Sequence, residues 1–302
     1  MRRRTTTAAL SVTAVTALSL LAGCGGSSSG GENPTVAATN SSSASAGLNA
    51  AAAAKLPAAL KSAGTIKVAT DASYAPNEFF ASDNKTVIGM DVDLGHAIGT
   101  ELGLKFDFVN EAFDSIIPSL GNRFDLGMSS FTDNKDREKK VTMVDYFSAG
   151  TSFMVKKGST LNPSSVADLC GKKAAVEKGT TQLDDVTAQS KKCKLTILPF
   201  PDQNGANLAL QSGRADVVLA DSPVNAYAAK QSKGNFVIVG QVYGTAPYGI
   251  AVPMGAKYAG FADAILAALQ DLAQKGTYQQ ILQKWGIQAG AISDFKLNGA
   301  TS

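Results

Sequence analysis

The chain has 302 residues, of which 44% are hydrophobic and 18% charged, and its formal net charge is +3. Three of its 28 basic residues lie in the first four positions, and the other 25 are balanced by 25 acidic residues. Beyond that N-terminus the chain has no basic excess. This balance argues against a nucleic-acid-binding surface and against a basic face for membranes.

The N-terminus has the pattern of an export signal. A basic stretch precedes an apolar segment, residues 8–21, that is too short to span a membrane as a helix. It ends in Leu-Ala-Gly-Cys at residues 21–24, which resembles the lipobox of bacterial lipoproteins, where the signal is cut before a cysteine that becomes lipidated. We expect residues 1–23 to be the signal peptide and Cys24 to anchor the exported protein on the outer face of the cytoplasmic membrane. The three arginines leave the twin-arginine export route open.

Residues 24–55 have the composition of a tether. Glycine, serine and alanine dominate, and large apolar side chains are scarce, so this stretch is not expected to bury a core. We predict a flexible leash that spans roughly 30 Å between the lipidated Cys24 and a folded domain.

From residue 56 onwards, strand-like and helix-like segments alternate, which is typical of the α/β class. A first unit is predicted to contain strands at 65–70, 104–109 and 124–130, and helices at 90–103 and 113–121. A second unit begins near residue 150, with a strand and helix start within 172–182, a strand at 195–200, a helix at 203–213 and a strand entering a helix at 215–224. A further strand at 248–253 and two amphipathic helices close the chain.

Two cysteines remain after the signal, Cys170 and Cys193. An even pair in an exported protein predicts a disulfide. Closing a loop of 24 residues would stabilise the fold by roughly 3 kcal/mol. The alternative is two unrelated buried thiols.

Motifs for catalysis and for cofactors are absent. The sequence has no nucleophile elbow, no phosphate-binding or dinucleotide glycine loop and no clustered metal-ligand spacing. His96 is the single histidine and lies off the apolar face of its predicted helix, so we expect it to be exposed. The sequence therefore predicts no catalytic residue, no metal site and no cofactor.

Polar and aromatic residues follow the predicted strands in both units. An arginine in one unit and an aspartate in the other are what a zwitterion requires, because a guanidinium pairs with a carboxylate and a carboxylate accepts from an ammonium. The candidate binding residues are Asp71, Tyr74, Phe113, Ser129, Ser130, Thr132, Arg137, Thr181 and Asp221.

Several of these residues also have a structural interpretation. Asp221 precedes Ser-Pro and could be only a helix N-cap, and the threonines after Gly179 could likewise be caps. Tyr74 and Phe113 could be core aromatics. Arg137 lies in a charged run, residues 133–140, whose other members are expected to face solvent.

Motifs along residues 60–287 resemble those of the bacterial extracellular solute-binding proteins of family 3. They include "VATDASYAPNEF", "IGMDVDLGHAIGTELG", "GMSSFTDNKDREKKVTMVDYFSAG", "VEKGTTQ", "GRADVVLADSPV" and "GTYQQILQKWG". The resemblance implies an α/β flytrap fold in which two crossover strands join two lobes. It places lobe 1 at residues 56–150 plus 247–290, lobe 2 at 151–246, and a C-terminal tail at 291–302.

The same resemblance implies a role for each candidate residue. Arg137 would hold the ligand carboxylate, assisted by Thr132 and Thr181. Asp221 would hold the α-ammonium, assisted by Ser129 and Ser130. The remaining three, Tyr74, Phe113 and Asp71, would surround the ligand side chain and meet its tip. Asn77 departs from the family pattern, in which an apolar residue usually follows the proline.

The predicted function is capture of a free amino acid, polar and basic or amide, for the transmembrane subunits of an ABC importer. We expect a monomer that meets the membrane only through its lipid. Two alternatives are an enzyme on the same fold, which would need a carboxylate acid or base, and the sensor module of a signalling protein. The sensor would need a transmembrane span and a kinase-like domain that the sequence does not contain.

Overall fold

A computed structural model of the protein describes residues 47–300. The strands are β1 (Thr65–Thr70), β2 (Ser73–Tyr74), β3 (Glu78–Phe80), β4 (Val87–Ile88), β5 (Lys105–Asn110), β6 (Leu126–Gly127), β7 (Val141–Lys156), β8 (Lys173–Glu177), β9 (Thr196–Phe200), β10 (Val217–Asp221) and β11 (Phe236–Pro253). The helices are α1 (Ala50–Ala53), α2 (Ala58–Ala63), α3 (Met90–Leu102), α4 (Phe113–Ser119), α5 (Lys135–Glu138), α6 (Thr181–Ser190), α7 (Gln203–Gln211), α8 (Ser222–Gln231), α9 (Phe261–Gln274) and α10 (Thr277–Trp285). Short 3-10 helices lie at Val166–Leu169, Ala256–Tyr258 and Gln288–Gly290.

The strands form a mixed sheet in the order β5-β1-β6-β11-β7-β10-β8-β9, beside a small sheet of β2, β3 and β4. At one end β1 runs parallel to β5 and β6, and at the other β8 runs parallel to β9 and β10. Between them the long strands β7 and β11 pair antiparallel over most of their length. This is the predicted two-lobed flytrap fold, with β7 and β11 as its two crossover strands.

Each end of the sheet has its own hydrophobic core. In lobe 1, α3, α9 and α10 cover the sheet, and Leu94, Ile98 and Leu102 are buried on the predicted face of α3. In lobe 2, α6 and α7 cover opposite faces of β8 and β10, around Val176 and Val218. Separate cores at the two ends of the sheet, connected along the chain by two long strands, allow the lobes to move as bodies. The predicted lobe boundaries stay a prediction.

The pairing of β7 with β11 is irregular midway along the two strands. The register shifts between Val239 and Tyr243 and again before Ala246. A Cβ at Gly150 would lie 2.6 Å from the carbonyl oxygen of Tyr243, so the strands approach each other here as only glycine allows. Midway along the crossover, β7 and β11 therefore approach each other closely while their hydrogen-bond pairing is interrupted.

The predicted end of the tether at residue 55 is wrong. Asn49 caps α1 by accepting a hydrogen bond from the Ala52 backbone N–H at 3.0 Å, and Ala52 and Ala53 are buried in the lobe 1 core. A run of alanines lacks bulk, but the small side chains let α1 pack closely against α3 and α9. The predicted signal peptide, Cys24 and the predicted tether up to residue 46 lie outside the described residues.

The C-terminal tail also packs against lobe 1. Phe295 and Ala300 are buried, and Leu297 bridges to Val144 of β7. The Asn298 side-chain oxygen accepts a hydrogen bond from the Met143 backbone N–H at 2.8 Å. The segment predicted as a tail thus covers one side of a crossover strand.

Other predictions have mixed outcomes. Cys170 and Cys193 form the predicted disulfide, with an S–S distance of 2.03 Å. The strand predicted at 124–130 joins the large sheet at Leu126 and Gly127, because the residues after them turn out of the sheet, and Phe124 forms an isolated bridge with Leu120. His96 is exposed on α3, as predicted. No helix between residues 47 and 300 is long and apolar enough to cross a bilayer.

Candidate functional site

A cavity lies between the lobes, at the edge where β1, β6, β8 and β10 end. It contains about 360 Å³ of space free of protein atoms, part of it open to solvent. Its lining residues are Tyr74, Phe113, Ser130, Thr132, Arg137, Thr180, Thr181, Gln182, Gln203, Leu219, Ala220, Asp221 and Val224. Strand ends at the switch point of an open α/β sheet are where such folds bind ligands.

Arg137 reaches this cavity from α5. Asn134 is the N-cap of this helix, and its side-chain oxygen accepts a hydrogen bond from the Arg137 backbone N–H at 2.9 Å. The guanidinium donates to the carbonyl oxygen of Thr132 at 2.7 Å and, across the cleft, to that of Gly179 at 3.1 Å. This capped turn and the two carbonyls hold the guanidinium in one orientation.

A stacked pair of aromatic rings, Phe113 and Phe131 with centres 4.6 Å apart, lies beside the same guanidinium. Its central carbon lies 5.3 Å from the ring centres of Phe113 and Phe131, within cation–π range. Burial lowers the pKa of Arg137, partly offset by the nearby Tyr74 and Asp221. Among the described residues Arg137 makes no ion pair with a carboxylate. A half-buried cation without an anionic partner favours an anionic ligand group.

Other charged residues in the run 133–140 pair with each other instead of facing the cavity. Lys135 pairs with Glu138 at 2.9 Å, and Lys139 pairs with Asp136 at 2.7 Å, through lysine side chains that are more than half exposed. Exposed pairs of this kind contribute little to stability. Asp133 is an exception to the predicted solvated run, because it is buried against the C-terminal tail.

Asp221 lies on the opposite side of the cavity, at the end of β10. One carboxylate oxygen accepts a hydrogen bond from the Gln182 side-chain amide at 2.7 Å, and the other accepts from the Tyr248 hydroxyl at 2.6 Å. Burial raises the pKa of Asp221, while these two bonds and Arg137 lower it. Asp221 is the N-cap residue of α8 but makes no side-chain cap bond, so its carboxylate is directed to the site rather than to the helix.

The first turn of α6 also opens onto the cavity. Thr180 is the N-cap, and its hydroxyl accepts a hydrogen bond from the Leu183 backbone N–H at 3.2 Å. For Thr180 the capping interpretation is therefore correct. Thr181 and Gln182 come next, where a helix has unpaired N–H groups that favour a negative charge. The Gln182 amide is oriented by bonds to Asp221 and Thr151.

Ser129 and Ser130 follow β6 and belong to a buried polar network. The Ser129 hydroxyl accepts from the Asp71 backbone N–H at 2.8 Å and donates to the Glu78 carboxylate at 3.1 Å. Ser130 has a left-handed φ of 52°, and its hydroxyl accepts from the Asn77 amide at 2.9 Å. Strained serine backbone of this kind is found at functional sites. Ser130 lines the cavity, whereas Ser129 is fully buried behind it.

Asn77, which stands where the family usually has an apolar residue, has a structural role. Asn77 is fully buried, and its side chain contacts Ser130 rather than the lining of the cavity. Burial and the adjacent Asp91 carboxylate raise the pKa of Glu78, the carboxyl to which Ser130 also donates at 3.3 Å. Asn77 thus acts on the site through Ser130.

Aromatic and acidic residues form the third side of the site. The Tyr74 and Phe113 rings meet edge to face with centres 5.6 Å apart. Asp71, directly behind them, accepts a hydrogen bond from the Phe113 backbone N–H at 3.1 Å. Burial raises the pKa of Asp71 despite this bond. The two rings line the cavity, and Asp71 lies beneath its surface.

Residues 66–288 match the bacterial extracellular solute-binding proteins, family 3. The arginine-binding protein ArgT of Corynebacterium glutamicum is 34% identical over 253 residues, which cover 81% of this chain and 82% of ArgT. The chain belongs to this family.

Solved structures agree with this assignment. An ancestral arginine-binding protein bound to arginine is 35% identical, with a TM-score of 0.69, over 74% of this chain and 98% of its own. An ancestral arginine-binding protein bound to glutamine is 34% identical with the same TM-score and coverage. As predicted, this family 3 protein is a solute-binding protein rather than an enzyme.

The structure of this solute-binding protein brings most of the predicted residues to one cavity. Asp71 and Ser129 are the two that lie behind its wall. Residue types gave little signal for Gln182 and Gln203, which line the cavity, although Gln182 directly follows the predicted threonine. Glu177, at the end of β8, was missed altogether. No group of three or more metal-ligating side chains in residues 47–300 is arranged to hold an ion.

Proposed function

We propose that this solute-binding protein captures a basic amino acid, with arginine the preferred ligand, and presents it to an ABC permease. The observation that carries this proposal is the placement of Arg137 and Asp221 on opposite sides of one cavity. A guanidinium without a carboxylate partner faces a carboxylate that retains acceptor capacity. That arrangement is complementary to the two charges of an α-amino acid.

Arg137 would bind the ligand carboxylate through its planar fork, together with the backbone at the start of α6 and Thr132. Asp221 would accept from the α-ammonium, with Ser130 as a second acceptor. Because Arg137 and Asp221 come from different predicted lobes, only the closed form makes both sets of contacts. Ligand binding would therefore shift the population towards the closed form.

The ligand side chain would extend past Tyr74 and Phe113 towards Asp71. Aromatic faces accept both an alkyl stem and a planar guanidinium. A carboxylate behind them favours a cationic or amide tip and repels a second carboxylate. The arginine-binding relatives support arginine as the first ligand to test.

The lipid anchor at Cys24 belongs to the same proposal. A monomer on the outer face of the cytoplasmic membrane, held by residues 24–46 as a leash, would remain near its permease while it binds ligand. The lipobox pattern supports this attachment.

Calorimetric titration of the purified protein with arginine, lysine, glutamine and glutamate tests the proposal. We expect arginine to bind most tightly and glutamate at least tenfold more weakly, which is about 1.4 kcal/mol. At 100 times its Kd the preferred ligand should stabilise the protein by about 2.7 kcal/mol. The proposal fails if no amino acid raises the melting temperature, if glutamate binds best, or if bound arginine is chemically converted.

A further inference from the structure

Glu177 is a buried carboxyl at the cleft without an assigned role. It ends β8, three residues before the cap of α6, and only 1% of its surface is exposed. Neither of its carboxyl oxygens has a hydrogen-bond partner in residues 47–300. Burying an ionised carboxylate costs free energy unless a proton neutralises it or a cation pairs with it.

The side chains around Glu177 are acidic or neutral. Asp71 after β1, Tyr74 of β2 and Asp202 at the N-cap of α7 are the titratable groups that act on it. The adjacent Lys178 is exposed. The Tyr74 hydroxyl is buried and likewise makes no well-formed hydrogen bond among the described residues. This hydroxyl and the Asp71 carboxyl both lie close enough to Glu177 to act on its pKa.

Contacts between the lobes bring Glu177 close to Asp71 and Tyr74. The Gln203 backbone N–H donates to the Ser73 hydroxyl at 3.1 Å, which seats the start of α7 against β2. A Cβ at Gly179 would lie 2.8 Å from Cβ of Asp114, so the loop after Glu177 lies directly on α4. Glu177 therefore faces Asp71 and Tyr74 because the cleft is closed.

We propose that Glu177 is a specificity-determining residue that, with Asp71, accepts the cationic tip of a basic ligand, and that closure on a neutral ligand requires one proton from solvent instead. This inference rests on the proposed function, because it needs an amino acid in the cleft. It adds a second carboxylate, from lobe 2, to the end of the site that meets the ligand side chain.

Closure of the cleft changes the surroundings of Glu177 and therefore its pKa. In the open form Glu177 and Asp71 lie on separate lobes in water, and a solvated Glu has an ordinary pKa of about 4.3. In the closed, empty cleft, burial and the Asp71 carboxylate raise the pKa of Glu177 to about 10. Between those two values, closure without a cation takes up a proton. A guanidinium supplies the positive charge itself, so closure on arginine takes up none.

The affinity for a neutral ligand should fall as the pH rises. Binding of a neutral ligand should weaken by about tenfold for each pH unit between pH 6 and 8, because the proton becomes scarcer. Arginine binding should stay constant over that range, because neither its charge nor that of Glu177 changes. The preference for arginine should therefore increase with pH.

Citrulline is the matched neutral ligand, since it replaces the guanidinium of arginine by a ureido group of the same shape. We would titrate both ligands at pH 6, 7 and 8 into the wild type, Glu177→Gln and the control Asp145→Asn. Asp145 is a buried carboxyl outside the cleft, at the C-terminal tail, and burial raises its pKa to about 8. Titrations in two buffers of different ionisation enthalpy count the protons taken up.

The wild type and Asp145→Asn should take up about one proton with citrulline and none with arginine. Glu177→Gln should bind citrulline without a pH slope and lose about tenfold or more of its preference for arginine. An arginine-to-citrulline ratio that is constant with pH, or equal in Glu177→Gln and the wild type, would overturn the inference. If arginine does not bind the wild type at all, the proposed function itself has failed.

Discussion

Replacing Arg137 by alanine tests the site most directly. The side chain donates to two carbonyl oxygens, one on each side of the cleft, and lies beside two stacked phenylalanine rings. Alanine removes the proposed carboxylate partner of the ligand together with a contact that holds the cleft closed. It should have little effect on the fold, because no carboxylate among residues 47–300 loses an ion pair.

The size of the effect follows from the burial of the guanidinium. Removing one member of a desolvated, hydrogen-bonded charge pair costs about 2–5 kcal/mol. Each 1.4 kcal/mol is a factor of ten, so the Kd for arginine should rise by roughly 30-fold to several thousand-fold. The bond from Arg137 to Gly179 is lost as well, which places the expectation in the upper half of that range. Arg137→Lys should recover only part of the affinity, because lysine lacks the planar fork.

Arg123→Ala is the matched control. Arg123 also lies over an aromatic ring, at 5.1 Å from the centre of Phe124, but its side chain is 60% exposed and pairs with Glu111. Calorimetry with arginine should give this variant an affinity within a few tenths of a kcal/mol of the wild type. Thermal unfolding without ligand shows whether each variant folds. The reasoning is refuted if Arg137→Ala is folded and binds arginine as tightly as Arg123→Ala does.

Three further predictions concern the rest of the chain. Cys24→Ser should release the protein from membranes into the medium, as fractionation and immunoblotting would show, and membrane retention would contradict the lipid anchor. Replacing both Cys170 and Cys193 by serine should lower the free energy of unfolding by about 3 kcal/mol in denaturant titrations, and an unchanged midpoint would contradict this. Burial raises the pKa of Asp145 to about 8, so the folded state holds a proton that the unfolded state has lost above about pH 4, and stability should fall as pH rises from 4 to 8. Asp145→Asn should remove much of that decline, which melting curves at pH 4.5 and 7.5 would reveal, and equal shifts at both pH values would contradict it.

Local patterns predicted the secondary structure well where one element is determined by its own residues. The strand predicted at 65–70 and the helix predicted at 90–103 follow from alternating and helical apolar periodicity, and they form at Thr65–Thr70 and Met90–Leu102. The strand at 124–130 shrinks to Leu126 and Gly127 because the following serines leave the sheet to enter a polar network. The crossover strands, 141–156 and 236–253, are long because they pair with each other, which no local window reveals.

Some residues of the candidate site could be suggested from the sequence, and others could not. Arg137 and Asp221, which both line the cavity, could be named as candidates because their residue types carry the charges that a zwitterion needs, at positions that match a family pattern. Glu177 could not be named, because the pattern around it concerns the following turn, and its raised pKa comes from burial in the tertiary structure and from Asp71, about a hundred residues earlier in the chain. Ala52 and Ala53 were assigned to the tether because composition does not show which alanines find a helix to pack against.

By itself the sequence determined the α/β class and the cysteine pair, and it predicted the order of the lobes and the two charges proposed to meet the ligand, because each depends on residue identity and spacing. Only the tertiary structure decided which polar residues line the cavity, which alanines belong to the core and which carboxyl is buried without a partner. Burial and electrostatic coupling arise when distant segments exclude water together. Those properties belong to the closed cleft, and they turn an ordinary glutamate at the end of a strand into a group that can distinguish a cation from a neutral side chain.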